Sequence, residues 1–289
     1  MIDDLAAQPG RPLRSPVMIA AFEGWNDAGD AATTAVEQLA LAWDSAPLAE
    51  IDPEEYYDFQ VSRPYSKLVD GVTRQLEWPT TRVSQVRLPA ESSEHDVLLV
   101  RGIEPNFRWR AYCTELVGLA EKYQVSTVIC LGALLADVPH TRPVQVTGSA
   151  PDPTTAARFG LTTSSYEGPT GITGVFADFC VQRGIPAFSF WAAVPHYVAQ
   201  GPHPKAAVAL LNRVEEILDI EVPLGTLPDQ AEDWEVEVTD IAAQDEDISA
   251  YIQTLEETTE EEVPLRPASG DVLAAEFERY LRRRGPQEG

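Results

Sequence analysis

Three times along this chain a short, unbroken apolar run ends in a polar loop that gives way to helical spacing. No other feature restricts the fold as much. Continuous apolar runs suit strands covered on both faces, and strand, loop and helix in repetition build an α/β sheet with parallel pairing. The fullest example lies between Pro169 and Lys205. The loop Pro169-Thr170-Gly171-Ile172-Thr173-Gly174 leads into Val175, Phe176, Phe179 and Cys180 at helical spacing. Arg183-Gly184 then stops the helix, Pro186 to Val194 reads as a buried strand, and Pro204 to Leu218 reads as an amphipathic helix with proline in its first turn.

The same grammar recurs upstream. Val17 to Phe22 is a continuous apolar run ending in Glu23-Gly24-Trp25-Asn26-Asp27-Ala28-Gly29-Asp30, with helical spacing through Ala32, Val36, Leu39 and Ala40. Asp96 to Val100 leads through Gly102 to Arg110 into a helix bearing Leu116, Leu119 and Ala120, and Thr127 to Leu135 is the next strand. The fold expected is a three-layer α/β protein, with a central, largely parallel (mixed) sheet and helices on both faces. That body spans residues 1–228, and residues 229–289 form an acidic, helical C-terminal extension. Within the body, residues 47–89 read as a β-rich excursion at the sheet edge, where Asp70-Gly71 suits a hairpin turn and Tyr56 to Phe59 looks β-like. Residues 1–15, polar and broken by proline, read as a loose arm. In the extension, Trp234, Ile241, Ile248 and Leu255 recur every seven residues and predict one amphipathic helix, interrupted on its apolar side by Asp245. A second helix is expected over Asp271 to Arg284, with arginines at its end.

Charge narrows the function classes. Of 289 residues, 21 are basic and 46 acidic, a net charge of −25 that repels phosphate backbones and anionic membranes. Neither nucleic acid nor membrane is an expected partner. The start, Met1-Ile2-Asp3-Asp4, has no secretory pattern, and no apolar run is long enough to span a bilayer. Cys113, Cys130 and Cys180 are three widely spaced cysteines without a Cys-x-x-Cys pair, which reads as reduced, buried thiols in a cytoplasm.

Polar loops at the carboxyl ends of parallel strands are where ligands bind in open α/β sheets. The candidate pocket comprises Glu23, Asn26, Asp27, Glu104, Arg108, His140, Arg142, Tyr166, Glu167, Thr170 and His196. These residue types serve acid–base work or grip an anion, or else they bond loop backbone and each other. Nothing nominates a catalytic residue. The serines lack a nucleophile-elbow context, the glycine loops lack a phosphate-binding fingerprint, and no histidine pair has metal-ligand spacing. No metal or cofactor is expected.

Several motifs taken together resemble a known family. Phe22-Glu23-Gly24-Trp25-Asn26-Asp27-Ala28-Gly29, Gly102-Ile103-Glu104-Pro105 with Arg108-Trp109, Leu131 to Pro143, Tyr166 to Ile172 and Trp191 to Tyr197 look like the actinobacterial branch of the proteasome-assembling chaperone family, type two. The likeness covers roughly residues 16–220. It implies an α/β fold of the kind seen in purine nucleoside phosphorylases, homo-oligomers with a trimer favoured, and no established catalytic residues. It also implies a chaperone or adaptor working through protein contacts, with proteasome α subunits as partners. Some members dock by a C-terminal hydrophobic-Tyr-any tripeptide, whereas this chain ends Gly285-Pro286-Gln287-Glu288-Gly289. The alternative function is a protein or enzyme that binds a nucleoside-like or anionic ligand in the strand-end loops.

Overall fold

A computed structural model describes residues 2–4, 11–198 and 201–258 of the chain. The strands are β1 (Ile2–Asp4), β2 (Val17–Glu23), β3 (Ala46–Ile51), β4 (Tyr65–Val69), β5 (Thr73–Glu77), β6 (Arg82–Val86), β7 (Val97–Ile103), β8 (Thr127–Ala136), β9 (Val146–Ala150), β10 (Thr162–Thr163) and β11 (Ala187–Pro195). The helices are α1 (Ala31–Ala42), α2 (Trp109–Lys122), α3 (Pro153–Phe159), α4 (Ile172–Gln182), α5 (Pro204–Leu218), α6 (Leu227–Ala242) and α7 (Glu246–Thr258).

Nine strands form one mixed sheet in the order β1-β3-β6-β7-β2-β8-β11-β9-β10. The four in the middle, β7, β2, β8 and β11, run parallel. Towards one edge β6, β3 and β1 pair antiparallel, and on the other side β9 turns antiparallel to β11. Strand β2 shows why its sequence is apolar at every position. Val17, Ile19 and Ala21 enter one core, under α1, α3 and α5, while Met18, Ala20 and Phe22 enter the other, under α2 and α4. Successive side chains of a strand point to opposite faces, so a strand covered twice needs apolar residues throughout. All three cysteines are free and buried in the second core. Burial pushes the thiols of Cys113 and Cys130 up to about 12, so they are protonated and pack as small apolar groups.

Three expectations change. The N-terminal arm is tied down: β1 pairs with β3, and Asp96, whose side chain is fully buried, holds the following segment. Its carboxylate accepts from the Arg11 guanidinium (2.7 and 3.0 Å), the Arg14 amide (2.7 Å) and Arg14 Nη2 (3.1 Å). Those bonds offset the burial of Asp96, hold its pKa below the usual range and fix a stretch whose composition alone reads as loose. Replacing Asp96 by asparagine should lower stability by about 2 kcal/mol, the scale of hydrogen bonds to a charged group, measured by urea denaturation at neutral pH. Tyr56 to Phe59 is no strand either. Asp52 accepts from the Glu54 amide, Pro53 opens a 3-10 turn, and the Tyr56 and Tyr57 amides bond back to the Pro53 carbonyl. The two rings are core anchors, with Tyr56 donating to Glu115 and Tyr57 to the Ile103 carbonyl.

The heptad pattern at the end is two helices. α6 closes at Ala242, and Asp245 starts α7 by accepting from the amides of Asp247 and Ile248. The one acidic residue on the apolar seam is a helix cap, which explains its place. α6 lies on α5, and α7 follows α6 over the ends of β8 and β11, where Tyr251 donates to Asp137. The expected helix over Asp271 to Arg284 lies outside the described residues. No helix among the described residues is long and apolar enough to cross a membrane.

Candidate functional site

The loops at the carboxyl ends of β2, β7, β8 and β11 do gather, but their polar side chains divide into two groups. The first sits where β2 and β7 end beside the start of α4. The Glu104 amide donates to the Glu23 carbonyl (2.9 Å), continuing the parallel register of Glu23 with Ile103. The Glu104 carboxylate reaches across to α4 and accepts from the Ile172 amide at 2.8 Å. A helix start presents unpaired amides and the positive end of the helix dipole, the usual seat of an anionic ligand. Here the chain's own carboxylate takes that seat.

Gly171 permits this arrangement. A Cβ there would lie 1.9 Å from Asn26 Oδ1 and 2.8 Å from Glu104 Oε1, so only a glycine lets the three close together. Asn26 is buried, and its backbone carbonyl accepts from the Ala133 amide of β8 (2.8 Å). Asp27, 4% exposed, turns inward and caps α1. Its carboxylate accepts from the Ala32 amide at 2.6 Å, from the Thr33 amide and from the Thr33 hydroxyl. Burial raises its pKa to about 6, with those hydrogen bonds pulling against the shift. Glu23 is also shifted upward by burial, partly offset by Arg101, which lies 2.9 Å from both Glu23 and Glu37.

The second group lies under α6 and α7. His140 Nδ1 meets the Tyr197 hydroxyl at 2.9 Å, and its Nε2 meets Thr239 Oγ1 of α6 at 3.0 Å. Burial lowers the pKa of His140. Lys205 donates to the His140 carbonyl (2.7 Å) and pairs with Glu235 of α6. His203 stacks on Trp234 with ring centroids 4.0 Å apart, and its Nδ1 accepts from the Ala206 amide, capping α5. Burial depresses its pKa to about 4, so the ring is neutral and able to accept. His196 lies 3.2 Å from Asp137 and makes edge contacts with Tyr197 and Tyr251.

The other candidates do not join either group as a pocket would require. Arg108, at the start of α2, pairs with Glu55, and Tyr166, Glu167 and Thr170 are exposed on the loop before α4, where Tyr166 donates to the Pro169 carbonyl. Arg142 is exposed, yet it lines a shallow cleft together with Val138, Gln145, Pro195 and two residues of the second group, His140 and His203. That cleft holds about 10 Å³, room for one water molecule. A nucleoside-sized ligand needs roughly 300 Å³ or more. Among the described residues no three histidine, cysteine or acidic side chains gather as metal ligands would. Sequence reasoning left out Tyr197, Thr239 and Tyr251 from this group, and used Trp234 only as a marker of helical spacing.

A parallel four-stranded centre with antiparallel flanks, and strand-end loops closed by their own side chains, defines a three-layer α/β protein whose usual ligand position is filled from within. Residues 21–242 match the PAC2 family, and the chain belongs to it. A PAC2 family protein from Streptomyces avermitilis is 52% identical, covering 82% of this chain and 99% of its own, with a TM-score of 0.76. A proteasome-assembly chaperone homologue from Mycobacterium tuberculosis is 57% identical over the same shares, with a TM-score of 0.73. PbaA from Pyrococcus furiosus, an archaeal homolog of proteasome-assembly chaperone, shares the fold at 15% identity and a TM-score of 0.59, covering 90% of this chain and all of its own. No curated protein matches the chain. The resemblance read from the motifs is thus shown at the level of the family.

Proposed function

We propose that this protein is a non-enzymatic chaperone or adaptor of the cytoplasm, acting through protein–protein contacts in the assembly of proteasome α subunits or of a related complex. It works as a homo-oligomer, with three copies favoured. In this reading residues 1–228 are the body and residues 229–289 an acidic extension, of which α6 lies against α5. The observation that carries the reading is the Glu104 carboxylate on the Ile172 amide: the strand-end seat for an anion is occupied by the protein itself. Two further features support it. Asp27 and His203 are committed to capping α1 and α5, and a relative 57% identical is described as a proteasome-assembly chaperone homologue.

The test couples two measurements on the full-length protein. Immobilised protein incubated at low salt with extract from a proteasome-containing host should retain proteasome α subunits. Thermal melting with nucleosides, inorganic phosphate and divalent metal ions should show no stabilisation. A true ligand at a hundred times its dissociation constant would add about 2.7 kcal/mol. Failure to retain α subunits, or a saturable shift with any of those compounds, would overturn the reading.

A further inference from the structure

Among the described residues of the body, the hairpin β4–β5 is a long stretch whose apolar side chains are turned outward. Tyr65, Leu68, Val72 and Leu76 are each more than half exposed, and every residue of β4 is exposed. The ribbon pairs with itself, Tyr65 with Glu77 through Val69 with Thr73, and forms a sheet separate from the nine-stranded one. Asp70 (φ 54°) and Gly71 (φ 72°) make the tight turn at its tip. An isolated two-stranded ribbon is marginal in water, and exposed apolar ribbons are docking elements or aggregation hazards. Strand alternation gives it two faces. Tyr65, Lys67 and Val69 share one with Glu77, and Lys67 is paired with Glu77 at 3.1 Å. Leu68, Leu76 and Arg74 share the other, where Arg74 is exposed and has no ion-pair partner among the described residues.

A surface of matching character lies elsewhere on the same chain. The solvent side of α6 carries exposed Val236 flanked by Glu232, Asp233, Glu237 and Asp240, at the i, i+3 and i+4 spacing that places them on one face. None of these carboxylates has an ion-pair partner among the described residues, and no lysine or arginine occurs between Val214 and Leu265. The two surfaces stand on different parts of the fold. The hairpin leaves the β3–β6 edge of the sheet, whereas α6 rides on α5 over the other half. One copy therefore offers an apolar ribbon with a free arginine at one side and an apolar helix face ringed by carboxylates at the other.

We infer that the Leu68–Arg74–Leu76 face of the hairpin docks on the Val236 face of α6 in a second copy of this chain. The occupant is chosen by charge complementarity: in a chain of net charge −25, Arg74 stands free beside apolar side chains, and the partner face is acidic around an apolar centre. The contact is head-to-tail, with different surfaces meeting, and such a contact closes into a ring when the rotation allows. The inference rests on the homo-oligomeric part of the proposed function and assigns its surface.

Sedimentation of the full-length protein over a range of concentrations tests it. Wild type should have the mass of several chains. Arg74→Glu should weaken association roughly tenfold or more, as loss of a desolvated interfacial charge pair does, and so should Asp233→Arg combined with Glu237→Arg. Putting all three changes in one chain should recover most of the lost association, which general damage to the fold would not. In a second arm, mixing a Leu68→Cys chain with a Val236→Cys chain under oxidation should give a covalent dimer, the three native cysteines being buried. A wild type that stays a single chain would overturn the homo-oligomeric reading and this contact together. A wild-type oligomer indifferent to the charge changes and to the cysteine pair would overturn this contact alone. Retention of α subunits is read separately in both cases.

Discussion

Replacing Asp27 by asparagine should make the protein lose about 2 kcal/mol more stability than wild type between pH 7 and pH 4. Asp27 is nearly fully buried and its folded pKa is raised to about 6 from 3.8, with burial as the leading cause. A raised folded pKa means that the native state binds the proton more tightly than the unfolded chain. Stability from this group is therefore fully present below about pH 3.8 and is lost as the pH rises through about 6. Acidification of wild type recovers it. Asparagine keeps an acceptor for the Ala32 amide but has no proton to take up, so the variant lacks that recovery. Urea denaturation of both proteins at several pH values measures the difference. A variant whose pH profile parallels wild type would mean that Asp27 is not held against its charge by burial.

The opposite sign is expected for His203. Its folded pKa is depressed from 6.5 to about 4, burial being the main cause, and the neutral ring accepts from the Ala206 amide. A depressed folded pKa contributes stability that is present above about pH 6.5 and lost as the pH falls through about 4. The loss amounts to about 3 kcal/mol between pH 7 and pH 4. His203→Asn, which retains a side-chain acceptor for capping α5, should remove it, so the variant destabilises about 3 kcal/mol less than wild type on acidification. Because the windows of Asp27 and His203 overlap and their signs oppose, wild type conceals both. The two groups are also neighbours, since the His203 amide donates to the Gly29 carbonyl at 2.7 Å. A double variant completes the cycle and measures their coupling. Loss of the Trp234 stack should appear at neutral pH as a lowered melting temperature, separable from the pH effect.

The residues that build these two groups show how far the sequence could be read. The sheet was legible because burial on both faces leaves a direct trace: Val17 to Phe22 has no polar residue to spare. The hairpin turn was legible because Asp70-Gly71 meets a local backbone demand. Local patterns mislead where a distant partner decides the outcome. The arm around Arg11 and Arg14 is fixed by Asp96, more than eighty residues away, and the amide that fills the Glu104 carboxylate lies sixty-eight residues further along. His140 meets Thr239 across ninety-nine residues, so the histidines were visible as residue types but not as members of one group. Gly171 reads locally as part of a turn and helix start, and nothing in that local sequence shows that its missing Cβ lets Asn26 and Glu104 close in. Asp245 is a different case. Its position against the apolar seam was itself the signal of a cap, read as an interruption of one helix when it separates two.

The surface hairpin and the acidic helix complete the physical picture. Asp27, Glu104 and His203 each accept from a backbone amide, and in the proposed reading partners meet the molecule on its outside rather than at these groups. Retention of proteasome α subunits by wild type and by Glu104→Gln, measured side by side at low salt on proteins shown to be folded, tests that claim most directly. Equal retention, with a lower melting temperature for the variant, is the expected result: Glu104 holds α4 in place and touches no partner. Absence of α subunits from wild type, or their loss on replacing Glu104 in a folded variant, would contradict it.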